Sequence, residues 1–400
     1  MRDWRAVAGL FFLTCSLEAL AQGHLNAFTP IYLRQFGLST EEIAQWAGLL
    51  TMFTMLIAFP LAPLWGALAE RYARKPVVVR SQLIEAVAYG ILAWAPDLHW
   101  VIFARLLLGL TFGNVAVIIA TQTLLTPNRY MANAISTVQA AINIASSAGP
   151  PLGAFLLPHV GARGLFAFDA LVCLAAGLLN TAFMPEPDTP RSDAPVLAMA
   201  GRTIATVWQR PLLRWNFIGW FLTRGALQIL SVYIPVQIVH ISADPAPAIG
   251  LVMGVYGAIM AVGTWAAGFL VGRTGPTRLF LLSMAGAAIG SFGVALAPEL
   301  TPLAVCAWLT AIPGALSHTC LYTHLAHHLK PTDRTPVMSL TPFPRNMAMF
   351  VIPGIAAGVA ALGPAAALAL AATAYALATG VGWRMAAATE VEESVIVAEG

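Results

Sequence analysis

Six charged side chains interrupt stretches of this chain that are otherwise apolar: the carboxyls of Glu18, Glu85 and Asp169 and the guanidinium groups of Arg105, Arg224 and Arg345. Charge inside a bilayer is costly, so such residues are suspects for carrying protons, pairing with one another or holding a charged solute. Glu18 lies about 13 residues into the first apolar run, roughly 20 Å along a helix and therefore near a bilayer midplane. Burial at that depth disfavours the ionised carboxyl, which suits a group that loads and releases protons; the competing reading is a structural acid permanently paired to an arginine. Arg224 lies about 13 residues into the seventh run, at a similar depth, and would either partner Glu18 or anchor an anion. His318, His324, His327 and His328 crowd the tenth run. His324 and His328 share a helical face with spacing that can hold a metal, but three of the four histidines approach the end of the run and Asp333 is the one acid close by. The expectation is no metal site and no cofactor, with His318 a separate candidate to line a cavity. Cys15, Cys173, Cys306 and Cys320 lack CxxC spacing and read as small packing residues.

The elements that must position these groups follow from composition. The chain is 58% hydrophobic and only 10% charged, with 33 glycines and 27 prolines, and its mean hydropathy is +0.76. A soluble domain of this size is far less apolar, whereas helices of roughly 20 apolar residues crossing a bilayer fit well. Short alternating segments of a transmembrane barrel are missing from the sequence. Breaking the sequence at Pro, Gly and charged punctuation predicts twelve helices, near 5–33, 41–70, 76–96, 99–125, 131–158, 163–184, 211–241, 247–272, 278–297, 301–328, 335–361 and 364–384. Two six-helix halves, 1–184 and 211–387, flank a Pro-rich, charged linker at 185–210, and a tail follows at 388–400. The first run is too long and too polar-studded for a cleaved leader and reads as a retained span. Placing both termini in the cytoplasm puts nearly all basic residues outside the spans on that side, leaving Arg34 and Arg163 outward. A net charge of +3, with basic residues scattered over helix ends, excludes nucleic acid as a partner.

The halves repeat. Gly66-x3-Glu70-Arg71 is echoed by Gly268-x3-Gly272-Arg273 at an offset of 202; Pro127 is echoed by Pro331 at 204; and Gly149-Pro150 by Ile352-Pro353 at 203. A duplicated six-helix unit is the architecture of many secondary transporters. At this point a resemblance becomes visible. Gly66-Ala-Leu-Ala-Glu70-Arg71-Tyr-Ala-Arg74-Lys75 resembles the GxxxD(R/K)xGRR loop between helices 2 and 3 of the major facilitator superfamily, with Glu70 in place of Asp and Ala73 in place of Gly. Arg105-Leu-Leu-Leu-Gly109 resembles the RxxxG motif of helix 4. Ser147-Ala-Gly149-Pro150-Pro151-Leu-Gly153 resembles the GPxxG motif of helix 5 in the drug:proton antiporter branch.

The resemblance implies an all-α fold of twelve transmembrane helices in two pseudo-symmetric six-helix bundles. In this superfamily helices 1, 4, 7 and 10 line the cavity, which ranks Glu18 above Glu85 and Asp169 as proton carrier and gives Arg105 either a tuning role or simple packing. His24, Asn26, Arg224, Gln228 and His318 become the candidates for binding substrate. The signature loop, through Gly66, Glu70, Arg71 and Arg74, would latch the halves by capping a helix N-terminus, or its basic residues serve only as topology signals. Gly149, Pro150 and Gly153 would form a pivot by close approach and bending, and Arg345 would pair near the interface of the halves.

The function this implies is proton-coupled export of small amphiphilic compounds by alternating access, by a monomer in the bacterial plasma (inner) membrane. A facilitator, importer or exporter of one solute, such as an anionic metabolite or a metal, is the alternative within transport. A membrane enzyme would show a concentrated catalytic set, and a receptor a sizeable soluble domain; the sequence carries neither.

Overall fold

A computed structural model describes residues 4–71, 73–127, 130–186, 209–329, 337 and 341–399; the side chains of 62–71, 132 and 389–399 lie outside the described set. Twelve helices longer than one turn are described. They are α1 (Trp4–Leu33), α2 (Thr40–Arg71), α3 (Arg74–Trp94), α4 (Leu98–Gly109), α5 (Asn114–Leu125), α6 (Met131–Phe183), α7 (Pro211–Ile241), α8 (Pro245–Thr274), α9 (Pro276–Leu296), α10 (Leu300–His328), α11 (Pro342–Val359) and α12 (Pro364–Glu399). Among the described residues eleven stretches are long and apolar enough to cross a membrane. One of them, Asn133–Phe183, has 51 residues, roughly 77 Å of helix, which is over twice a hydrocarbon core. It turns at Gly161, whose φ of 69° is left-handed and open to glycine, so it supplies two crossings and the total is twelve.

Two expectations change here. The fourth span is broken: α4 ends at Gly109, residues 110–113 form a turn with Gly113 at φ 104°, and α5 restarts at Asn114. Continuous hydropathy over 99–125 concealed the break, because an apolar turn and an apolar helix have the same composition. Helix α12 also runs on through the predicted tail to Glu399.

The chain forms two compact units. The first takes residues 1–39, 49–194 and 243–257; the second takes 40–48, 195–242 and 258–400. Within the first unit α1 and α3 both pack on α6, and α3 also packs on α4 and α5. Within the second, α7 packs on α11 and α12, and α9 on α10 and α12, the same pattern one repeat later.

Small residues set the closest approaches. A Cβ on Gly149 would lie 3.1 Å from the carbonyl oxygen of Leu20 and 3.2 Å from the Cα of Gly23, so α1 and α6 touch backbone to backbone. A Cβ on Gly153 would lie 2.8 Å from the ring of His24. On another side of α6, Gly250, Gly254 and Gly257 of α8 leave room for Pro150, Pro151, Ala154 and Ser147. The residues read as a pivot are thus where α6 is clasped.

Helix α3 starts at Arg74 without a side-chain cap from Ala73. The carboxylate that meets its free amides is Glu186, just past α6: the backbone N–H of Arg74 donates to Oε1 at 2.8 Å and that of Lys75 to Oε2 at 2.7 Å. Charge-assisted bonds of this kind satisfy orphan donors and suit the positive end of the helix dipole. Helix α2 carries Gly66, Glu70 and Arg71, but their side chains lie outside the described residues, as does the predicted start of the eleventh helix at 335.

Two outcomes are expected. Glu186→Ala should speed amide exchange in the first turn of α3 while leaving α6 unchanged, at a cost of about 0.5–2 kcal/mol for a lost cap. Gly149→Leu should lower the unfolding temperature in detergent through overpacking of about 1–3 kcal/mol. Gly90→Ala, where the added methyl meets nothing within 4 Å, is the control that should not.

Candidate functional site

The first unit gathers its intramembrane carboxyls around α1, α3, the break between α4 and α5, and the second half of α6. Glu18 projects from α1 and is held by amides from two other helices. Asn114, the first residue of α5, donates from Nδ2 to Oε2 at 2.9 Å and to Oε1 at 3.1 Å. Gln82 of α3 donates from Nε2 to Oε1. Gln82 is itself oriented by Asn180 of α6, whose Nδ2 donates to Gln82 Oε1 at 2.9 Å. Gln82, Asn114 and Asn180 are all buried. Asn114 follows directly on the turn at 110–113, so the break in the fourth span lies beside the carboxyl.

Glu85, one turn beyond Gln82, has Thr111 in the same turn and Cys173 of α6 as hydrogen-bonding neighbours, and it lies close enough to Glu18 to feel its charge. Its Oε2 is buried with no partner. Asp169, which had no evident partner in the sequence, pairs with His24: Oδ1 stands 2.7 Å from Nδ1, both side chains fully buried. Phe28 and Phe168 flank the His24 ring, and Gly153 leaves the space it occupies. His24, a candidate for substrate, therefore points into the bundle. Asn26 is half-buried and accepts from Gln22 at 3.2 Å.

Arg105 is only 4% exposed and donates to Thr29 near the C-terminal end of α1. The hydrogen bonds to Glu18 come from neutral amides, and Arg105 is not among its partners. Gln82, Asn114 and Asn180 were missed by a search limited to charge; an amide in each of three neighbouring apolar runs was the available signal.

The second unit brings a different set together. Trp220 of α7 is fully buried. His318 of α10 stacks on it with ring centroids 5.1 Å apart, Tyr322 meets it edge-on at 4.6 Å, and the Arg345 guanidinium of α11 lies 5.4 Å from the ring. Arg345 Nη1 is 3.5 Å from Tyr322 Oη, and Arg224 Nη2 is 3.4 Å from Met349 Sδ. Gln228 is buried one turn past Arg224. His324 is engaged by Asn216, Nδ2 to Nδ1 at 3.2 Å, and its ring lies 4.5 Å from that of His328. Among the described residues no three His, Cys, Asp or Glu side chains converge as metal ligands.

Comparison with known proteins follows the same lines. The chain is 29% identical over 215 residues to the multi-drug resistance efflux pump PmrA of Streptococcus pneumoniae, covering 52% of this chain and 53% of that protein, so the match spans about half the length of that relative. It is 26% identical over 294 residues to the multidrug resistance protein MdtG of Salmonella typhi, 70% of each chain. A solved bacterial homologue of the human lysosomal transporter Spinster, at 18% identity, superposes with a TM-score of 0.72 over 97% of this chain and 96% of its own. The family model described as Major Facilitator Superfamily matches residues 11–353, and with twelve apolar crossings in two repeated helical sets the chain belongs to that superfamily of membrane transporters.

Proposed function

We propose that this protein exports small amphiphilic compounds in exchange for protons across a bacterial inner membrane, as a monomer working by alternating access with Glu18 as the proton carrier. The observation that carries the reading is the set of groups around Glu18. Its hydrogen-bond partners are amides, so no fixed cation neutralises it, and its proton can be exchanged without breaking an ion pair. The similarity to PmrA, named a multi-drug resistance efflux pump, and to MdtG, named a multidrug resistance protein, supports the direction and the substrate class.

The amides also suggest how protonation reaches the helices. An ionised carboxyl only accepts hydrogen bonds, as Glu18 does here from Gln82 and Asn114; a protonated one must also donate. The Asn114 Oδ1 is buried with no partner and belongs to the same amide. Turning that amide gives the Glu18 O–H an acceptor and withdraws Nδ2 from the carboxyl. Since Asn114 is the first residue of α5, the adjustment falls on the break in the fourth span, where Gly113 gives the backbone freedom to follow. Coupling then requires only that proton and substrate favour different balances of the exchanging states. Gly66, Glu70, Arg71, Arg74, Gly149, Pro150 and Gly153 would set that balance.

The test is proton movement in proteoliposomes under an imposed pH gradient, with cationic, neutral and anionic amphiphiles added in turn. Wild type should release protons on addition of a transported compound, and Glu18→Gln should reduce that release at least tenfold while the protein still binds the compound. Substrate movement without proton movement in wild type would replace antiport by facilitated diffusion and return Glu18 to a structural role.

A further inference from the structure

We infer that the second unit contains a binding subsite for an organic anion, built on Arg345 and Arg224 beside the Trp220, His318 and Tyr322 rings. The inference rests on the transport reading above and names the substrate class for it.

The site is assembled from three pairs, each four residues apart on one helix: Trp220 and Arg224 on α7, His318 and Tyr322 on α10, Arg345 and Met349 on α11. Residues at that spacing share a helical face, and the contacts among the rings, guanidinium groups and thioether show that the three faces converge. His318 lies within the field of both arginines.

The charge balance around this cluster is one-sided. Residues 211–241, 258–274, 276–296, 300–328 and 342–388 contain no Asp or Glu. Of the other acids in this unit, Glu41 and Glu42 are exposed in the first turn of α2, and Glu299 is the N-cap of α10; Asp333 and the acids beyond 388 lie outside the described side chains. Three nitrogens in the cluster, Trp220 Nε1, His318 Nε2 and Arg345 Nε, are buried with no hydrogen-bond partner. A buried donor left unmet is costly, and a cation more so. Yet Arg224, His318, Tyr322 and Arg345 are each half-buried, so part of the cluster is open to a ligand beside those three unmet nitrogens.

The chemistry selects the occupant. Planar guanidinium groups match a carboxylate or sulfonate through paired N–H bonds, the half-buried His318 and Tyr322 rings, backed by buried Trp220, accept a flat apolar body, and the Met349 thioether adapts to its shape. A cationic amphiphile of the same body would meet two arginines and, among the described residues of this unit's spans, no acid. The subsite therefore takes aromatic carboxylates or sulfonates in preference to cations.

Equilibrium binding to the full-length protein in lipid nanodiscs, without a proton gradient, tests this with 2-naphthoate, its methyl ester and 2-naphthylmethylammonium. Naphthoate should bind at least tenfold more tightly than the other two. Arg345→Gln should remove that preference while ester binding and unfolding temperature stay as in wild type, and Arg345→Lys should restore part of it. Equal affinity for acid and ester, no saturable naphthoate binding, or undiminished preference in Arg345→Gln would overturn the inference. So would a parallel loss of acid and ester binding in both variants, which would mark Arg345 as a packing residue. Naphthoate binding without proton-coupled export would leave the subsite in place and remove the export reading; export confined to cations, with no naphthoate binding, would do the reverse.

Discussion

A carboxyl placed in hydrocarbon must find its hydrogen bonds within the protein, and much of the first unit is organised by that requirement. Glu18 is met by donors from neighbouring helices: Gln82 and Asn114 supply them, and Asn180 holds Gln82 in place. Four helices are committed to one side chain. The break in the fourth span belongs to the same account: interrupting a membrane helix exposes backbone polar groups, which is tolerated only where protein surrounds them, and here Asn114, directly after the interruption, meets the carboxyl.

The other intramembrane acids are met in different ways. Asp169 is satisfied on one oxygen by His24, itself accommodated because residue 153 has no side chain. Glu85 leans on Thr111 and Cys173. Clasping of α1 against α6 through Gly23, Gly149 and Gly153 is thus a condition for the polar contacts as well as for packing, since a wider spacing would part His24 from Asp169. Without a hydrophobic drive between helices in lipid, small residues and interhelical hydrogen bonds are the available means of association, and both act at this junction.

The two units carry different charges on one architecture. The spans of the first hold Glu18, Glu85 and Asp169 beside Arg105 and His24; the spans from 211 to 388 hold arginines and histidines and no acid. The repeated halves share the helix pattern and differ in the charges their spans carry.

Composition and periodicity were enough to show an all-helical membrane chain in two repeats, because the cost of unpaired backbone in lipid leaves long apolar runs almost no other structure. The presence of stranded charges was legible for the same reason: apolar surroundings make each exception visible. What only tertiary structure decided was partnership. That His24 belongs to Asp169, that Arg105 goes to Thr29 and not to Glu18, that Arg345 joins Trp220, and that the fourth span breaks just before Asn114 all depend on which helix faces lie together. Hydropathy reports how buried a residue must be, and it carries no information on the direction a side chain takes once inside.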